Sequence, residues 1–72
     1  MNNVLLGATW CGPCKGVKMF LDNRGIEYDY VDVDTEAGLA LAQDWGVRNV
    51  PSMNIDGTIV TGDSKIKEAF SE

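Results

Sequence analysis

The chain holds two cysteines, Cys11 and Cys14, in the run Trp10-Cys11-Gly12-Pro13-Cys14. Two thiols at that spacing can join or separate without large backbone motion, which suits them to trading two electrons with another disulfide. The attacking species is the thiolate, and an ordinary cysteine is mostly protonated at neutral pH. A helix N-terminus corrects this, because its unpaired N–H groups and positive dipole end stabilise a thiolate. The flanking residues predict such a site. Val4 to Ala8 is a short apolar run that reads as a buried strand. Gly12-Pro13 then opens a helix, since proline is tolerated in a first turn where its missing N–H would lack a partner anyway. Cys11 therefore lies at the helix start as the more exposed nucleophile, and Cys14, one turn on, points into the protein. Cys11 would attack a target disulfide, and Cys14 would then attack Cys11 and release the reduced target.

Other chemistries for the pair stay open at this point. A structural disulfide would close only a four-residue loop and contribute about 2 kcal/mol, near the bottom of the usual range. One Cys-x-x-Cys can also supply half of a four-thiolate zinc or iron–sulfur site completed by a second copy, although Pro13 inside the motif argues against it. A domain of this kind can also serve as a non-catalytic interaction subunit, in which case serines at both positions would leave its function intact.

The elements that must position the pair follow from the rest of the chain. Along the first helix Cys14, Val17, Phe20 and Leu21 share one face, and Arg24-Gly25 marks its end. Tyr28 to Val33 alternates aromatic or branched residues with acids, as a strand does. Thr35 can cap a second helix that carries Leu41 and Trp45 four apart and closes at Gly46. Ser52 to Ile55 and Thr58 to Thr61 flank Asp56-Gly57, a strong hairpin signal. Asp63 or Ser64 caps a last helix with Ile66, Ala69 and Phe70 on one face. The order β-α-β-α-β-β-α predicts one α/β domain over residues 1–72, with a mixed sheet of four strands.

Composition excludes several function classes. The net charge is −5, and the six cations, Lys15, Lys18, Arg24, Arg48, Lys65 and Lys67, are scattered. Neither nucleic acid nor an anionic membrane surface is an expected ligand without a basic cluster. The apolar runs fall far below the roughly 20 residues that span a bilayer, and the N-terminus lacks the basic start of a signal peptide. A cytoplasmic monomer is expected, and in that reducing compartment a Cys-x-x-Cys pair is catalytic or metal-binding more often than structural.

Trp10-Cys11-Gly12-Pro13-Cys14-Lys15 resembles the thioredoxin signature, and Cys-x-x-Cys at a strand–helix junction is shared with glutaredoxins. Val47-Arg48-Asn49-Val50-Pro51-Ser52 is similar to the segment of that fold that ends in a cis-proline facing the cysteines. The element order, beginning at the strand before the motif, looks like a glutaredoxin, while the active-site residues look like a thioredoxin. The resemblance implies a minimal thioredoxin-like fold and a dithiol–disulfide oxidoreductase acting as an electron carrier in cell redox homeostasis. It implies no cofactor beyond the Cys11–Cys14 pair. Protein disulfides are the implied substrates, with ribonucleotide reductase as a client and thioredoxin reductase or glutathione as electron donor. A reduction potential between that of thioredoxin, about −270 mV, and the glutaredoxin range of about −230 to −200 mV is expected from the same likeness.

The resemblance also assigns roles to neighbouring residues. Gly12 and Pro13 hold the turn, and Pro13 favours reducing strength. Pro51 in the cis form would leave the Val50 backbone free to pair with an extended target segment. Trp10 beside the nucleophile covers the sheet end or touches the target. Asp63 after Gly62 matches the acid that holds the glutathione amine in glutaredoxins. Two positions depart from the families. Leu5 stands where thioredoxins bury an aspartate that deprotonates the second cysteine. Ala8 stands where glutaredoxins often place a cation for glutathione. Tyr28 and Tyr30 read as strand packing, Lys15 and Lys18 as solvated helix surface, and Asp34 as part of an acidic solvated edge.

Overall fold

A computed structural model describes residues 3–71. The elements run β1 (Asn3–Gly7), α1 (Gly12–Asn23), β2 (Asp29–Asp32), α2 (Glu36–Trp45), β3 (Ser52–Ile55), β4 (Thr58–Thr61) and α3 (Asp63–Ala69). The sheet has the order β2-β1-β3-β4, with β1 parallel to β2 and the remaining pairs antiparallel. The parallel pair follows from the α1 crossover, and the β3–β4 pair from a tight turn at Asp56-Gly57, where both residues have positive φ.

The register aligns one row of side chains across all four strands. Tyr30 pairs with Leu5, Leu5 with Met53, and Met53 with Val60. This row meets Val17 and Leu21 of α1 and Ile66 of α3 in a single apolar core. Strand side chains alternate between faces, so Leu6 lies on the opposite side, the side that α2 covers against β1 and β2. Leu5, Leu6, Val17, Leu21, Met53 and Ile66 are all fully buried.

Several expected boundaries move for local reasons. β1 ends at Gly7 rather than Ala8, because the Ala8 carbonyl turns to accept the Cys11 N–H at 3.2 Å. β2 loses Tyr28 and Val33 at its ends. Asp63 and Ser64 do not cap α3. Gly62 takes the cap position at φ 101°, a conformation open to glycine, and no side chain caps the helix. Gly62 is held there because its N–H donates to the Pro51 carbonyl at 2.8 Å. Ala69 is exposed, so only Ile66 and the half-buried Phe70 give α3 its apolar face. Thr35 does cap α2, its hydroxyl accepting from the Gly38 N–H at 3.1 Å, and Gly46 closes the helix at φ 71°.

Gly38 decides how closely α2 can approach. A Cβ there would collide with the Asp32 carbonyl and come within 2.7 Å of Val33 Cα. Gly38 is the one buried residue of α2, whereas Leu41 and Trp45 are half-buried. Helix propensity alone favours alanine over glycine by about 1 kcal/mol. Overpacking against backbone costs about 1–3 kcal/mol. Gly38→Ala should therefore lower stability, and a denaturant midpoint above that of the parent would show that α2 is not seated by this contact.

Tyr28 ties α1 to the start of β2 through its hydroxyl, which donates to Asp22 Oδ1 at 3.0 Å. Burial, and then the Asp22 carboxylate, push its phenol up to about 12 from an ordinary 10.0. The folded state thus holds this proton more tightly than the unfolded chain does. Its contribution to stability is complete below pH 10 and is lost between about pH 10 and 12. In Tyr28→Phe the decline in melting temperature across that window should be shallower than in the parent.

Candidate active site

The β1–α1 junction builds the site. Cys11 is the N-cap of α1, extended at φ −96° and ψ 111°, and its Sγ accepts the Cys14 N–H at 3.2 Å. Pro13 occupies the first turn, where no N–H is needed, and no acidic residue stands in that turn to oppose a thiolate. Cys11 and Cys14 are disulfide-bonded, with their Cα atoms 5.3 Å apart. The structure thus shows the oxidised form of the pair.

Burial ranks the two sulfurs as the sequence suggests, but within a narrow range. Cys11 is 6% exposed and Cys14 is 1% exposed. Both pack with Ala8 against Val33 and Val50 in a small apolar cluster separate from the main core. Gly12 and Pro13 lie exposed above them. Little of Cys11 is therefore open to solvent.

Val50 and Pro51 form the opposite wall. Their peptide bond is cis, and the Val50 carbonyl oxygen lies 3.8 Å from Cys11 Sγ. Among the described residues the Val50 backbone makes no backbone–backbone hydrogen bond. The turn is anchored from below by fully buried Ser52, whose hydroxyl donates to the Asn49 carbonyl at 2.6 Å and lies 3.2 Å from the Thr61 hydroxyl. Gly62 reaches the Pro51 carbonyl, which brings the N-terminus of α3 and half-buried Asp63 to the far side of the same loop.

Among the described residues Trp10 is the most exposed large apolar one, at 68%. Its indole is nevertheless directed, since Nε1 donates to Asp34 Oδ2 at 2.8 Å. Asp34 is itself positioned by its N–H, which donates to Asp32 Oδ1 at 2.8 Å. Asp34 is thus more than part of a solvated edge. It holds the tryptophan beside Cys11, across 24 positions of sequence. Nothing local in the sequence pairs the two residues.

A second contact escapes a reading based on packing alone. Gly7, the last residue of β1, leaves a gap that a Cβ would fill at 2.9 Å from Tyr30 Cε1, 3.2 Å from the Tyr30 hydroxyl and 3.4 Å from Cys14 Cβ. A glycine ending an apolar strand is a signal for such close approach. Among the described residues no group of three or more His, Cys, Asp or Glu is placed to hold a metal ion.

With Trp45 replaced by phenylalanine, Trp10 is the sole indole, and Asp34→Ala should release it. Acrylamide quenching of Trp10 should rise while the melting temperature stays close to the parent's, as befits one exposed hydrogen bond of about 1 kcal/mol. Unchanged quenching would mean that Asp34 does not restrain the ring.

A glutaredoxin family model matches residues 3–60. A glutaredoxin from Ricinus communis is 38% identical over 64 residues, spanning 82% of this chain and 63% of the relative. A thioredoxin from Mycolicibacterium smegmatis is 40% identical over 52 residues, spanning 64% of this chain and 46% of the relative. The match thus spans less than two thirds of the length of either curated relative. The crystal structure of the thioredoxin-like protein BC3987 superposes with a TM-score of 0.81 at 28% identity, covering 94% of each chain. The buckwheat glutaredoxin–glutathione complex superposes at 0.77 with 32% identity, covering 94% of this chain and 66% of that one. Fold, cysteine spacing and sequence agree: the chain has the thioredoxin-like fold with a Cys-x-x-Cys pair and belongs to the glutaredoxin family.

Proposed function

We propose that this chain reduces disulfides of other proteins through Cys11 and Cys14 and is recycled by an NADPH-dependent thioredoxin reductase. The observation that supports it most is the Cys14 N–H aimed at Cys11 Sγ, 3.2 Å away, at the start of α1. In the reduced protein this donor favours the Cys11 thiolate, the species that attacks.

The steps balance as follows. The Cys11 thiolate attacks one sulfur of the target disulfide; a mixed disulfide forms and the target's other sulfur leaves as a thiolate. Cys14, having lost its proton to solvent, then attacks Cys11 Sγ. The bond between Cys11 and the target breaks, the second target sulfur leaves, and Cys11–Cys14 is oxidised as the target gains two electrons. The Val50 backbone offers the target chain a short edge to pair with, beside the nucleophile. Trp10, held by Asp34, supplies apolar surface next to it. Gly12 and Pro13 carry no bulk that would block this approach.

The Trp-Cys-Gly-Pro-Cys run favours thioredoxin reductase as donor, and Ala8 supports the same choice by providing no cation for a glutathione carboxylate. Ribonucleotide reductase is a client of matching chemistry, since its turnover leaves a protein disulfide to reduce. As part of this reading the chain works in the cytoplasm as a monomer, with no cofactor besides its cysteine pair. No helix among the described residues is long and apolar enough to cross a membrane. Glutathione is the second reading. It is favoured by the buckwheat relative, which was solved as a glutathione complex, and by Asp63 beside the Pro51 loop.

The test is NADPH consumption during reduction of a disulfide protein, run in parallel with thioredoxin reductase and with glutathione plus glutathione reductase. Turnover is expected with thioredoxin reductase and should be abolished by Cys11→Ser. Turnover with glutathione alone would replace the first reading by the second. Turnover with neither, or turnover that survives Cys11→Ser, would overturn both.

A further inference from the structure

Cys14 is 1% exposed, and the residue below it in the thioredoxin pattern, Leu5, has no proton to give or take. In the second step the Cys14 sulfur must nonetheless carry negative charge in an apolar pocket. Desolvation raises the pKa of a buried thiol, so without a donor this step would be slow at neutral pH.

The one hydroxyl shown at this pocket comes from β2. Tyr30 crosses the end of β1 over Gly7, so that its hydroxyl and Cys14 Cβ lie 3.2 and 3.4 Å from the same unfilled point. Its hydroxyl is not shared with another side chain among the described residues, whereas that of Tyr28 is committed to Asp22. Gly7 makes the crossing possible: any side chain there would enter the space that the phenol ring takes. The ring is also held from outside, with Lys18 Nζ 4.2 Å from its centroid.

We propose that Tyr30 is a positioning residue for the second thiol, its hydroxyl donating a hydrogen bond to the Cys14 sulfur as that sulfur becomes a thiolate. This inference rests on the dithiol chemistry proposed above and adds the group that makes Cys14 competent in it. Tyr30 acts as a donor and keeps its proton; the proton lost by Cys14 goes to solvent. Burial, and then Asp32, hold the Tyr30 phenol above its ordinary value, so the hydroxyl stays protonated wherever thiols titrate. The other charged groups facing this pocket are few. Asp32 pairs with Gly7 from β2, Lys18 lies on α1 over the ring, and Lys67 of α3 brings Nζ to 3.9 Å from where a Gly16 Cβ would be. On this face β1 presents the uncharged Leu5 and Gly7.

The test is a pH titration of the reduced protein, labelled with carbon-13 at cysteine Cβ so that Cys11 and Cys14 report separately by NMR. Tyr30→Phe keeps the ring and removes only the hydroxyl. It should raise the Cys14 pKa by about one unit, the size expected for one hydrogen bond to a charged group, and shift Cys11 less. Gly7→Ala should raise it in the same direction, because the new methyl displaces the ring. It also keeps the test alive if the phenylalanine variant folds poorly. A Cys14 titration unmoved in either folded variant would overturn the proposal and leave Tyr30 as packing alone. This readout needs no electron donor. Failure of the NADPH assay would therefore overturn the proposed function without touching this result, and a flat titration would do the reverse.

Discussion

A helix needs its first N–H groups satisfied, and in this chain the group that satisfies one of them is a sulfur of the Cys-x-x-Cys pair. Cys11 accepts from the Cys14 N–H as a serine or aspartate would at an ordinary N-cap. Much of the rest follows from that arrangement. β1 must end early enough for Cys11 to be extended, which the Ala8 carbonyl achieves by turning back on the Cys11 N–H. Pro13 is tolerated because it stands where no donor is required. Cys14, one turn later, is carried under the sheet end, close enough to Cys11 for bonding and away from water.

The site is assembled from pieces that the sheet order brings together. The sheet sets β1 between β2 and β3, so the strand that launches α1 has the Val50-Pro51 loop on one side and the β2 end, with Tyr30 and Asp32, on the other. Each neighbour contributes once. The β3 side presents a carbonyl and an open backbone, fixed by Ser52 and Gly62. The β2 side sends Tyr30 beneath Cys14 and leads through Asp32 to Asp34, which holds Trp10 above Cys11. Residues of one short strand and its following turn thus border both the exposed and the buried flank of one disulfide.

The fold was almost entirely legible in the sequence, and so was the place of the cysteine pair at the β1–α1 junction. β3, β4 and their Asp-Gly turn follow from alternation and turn chemistry, α2 from Thr35 and Gly46, and the cysteines from a motif whose context is a strand followed by a helix. The misses share a physical cause. Asp34 with Trp10, Tyr30 with Gly7 and Gly62 with Pro51 are contacts between residues far apart in sequence, and no periodicity encodes them. The α3 cap failed for a related reason: Asp63 and Ser64 have the right side chains, but Gly62 is pinned one residue earlier by a tertiary hydrogen bond. Local preference gave way to a contact made elsewhere.

Gly7 and Gly38 show how glycine carries tertiary information that a single sequence hides. Both lie inside regular elements, where glycine is usually a cost relative to alanine. At Gly38 the missing Cβ lets α2 seat on the end of β2, behind the turn that presents Asp34. At Gly7 it lets β2 reach across β1 to the underside of the disulfide. The two gaps open on opposite faces of the same sheet corner, and each lets a neighbour come within contact of backbone. A small domain has little core with which to stiffen a site, since a chain of this length buries only about 60% of its unfolded surface. Close approach at two glycines is a way to hold the cysteine pair between fixed walls using few residues. It also lets aromatic Tyr30, which a packing argument would count as one more core residue, bring its hydroxyl to the space beside Gly7 that Cys14 Cβ also borders.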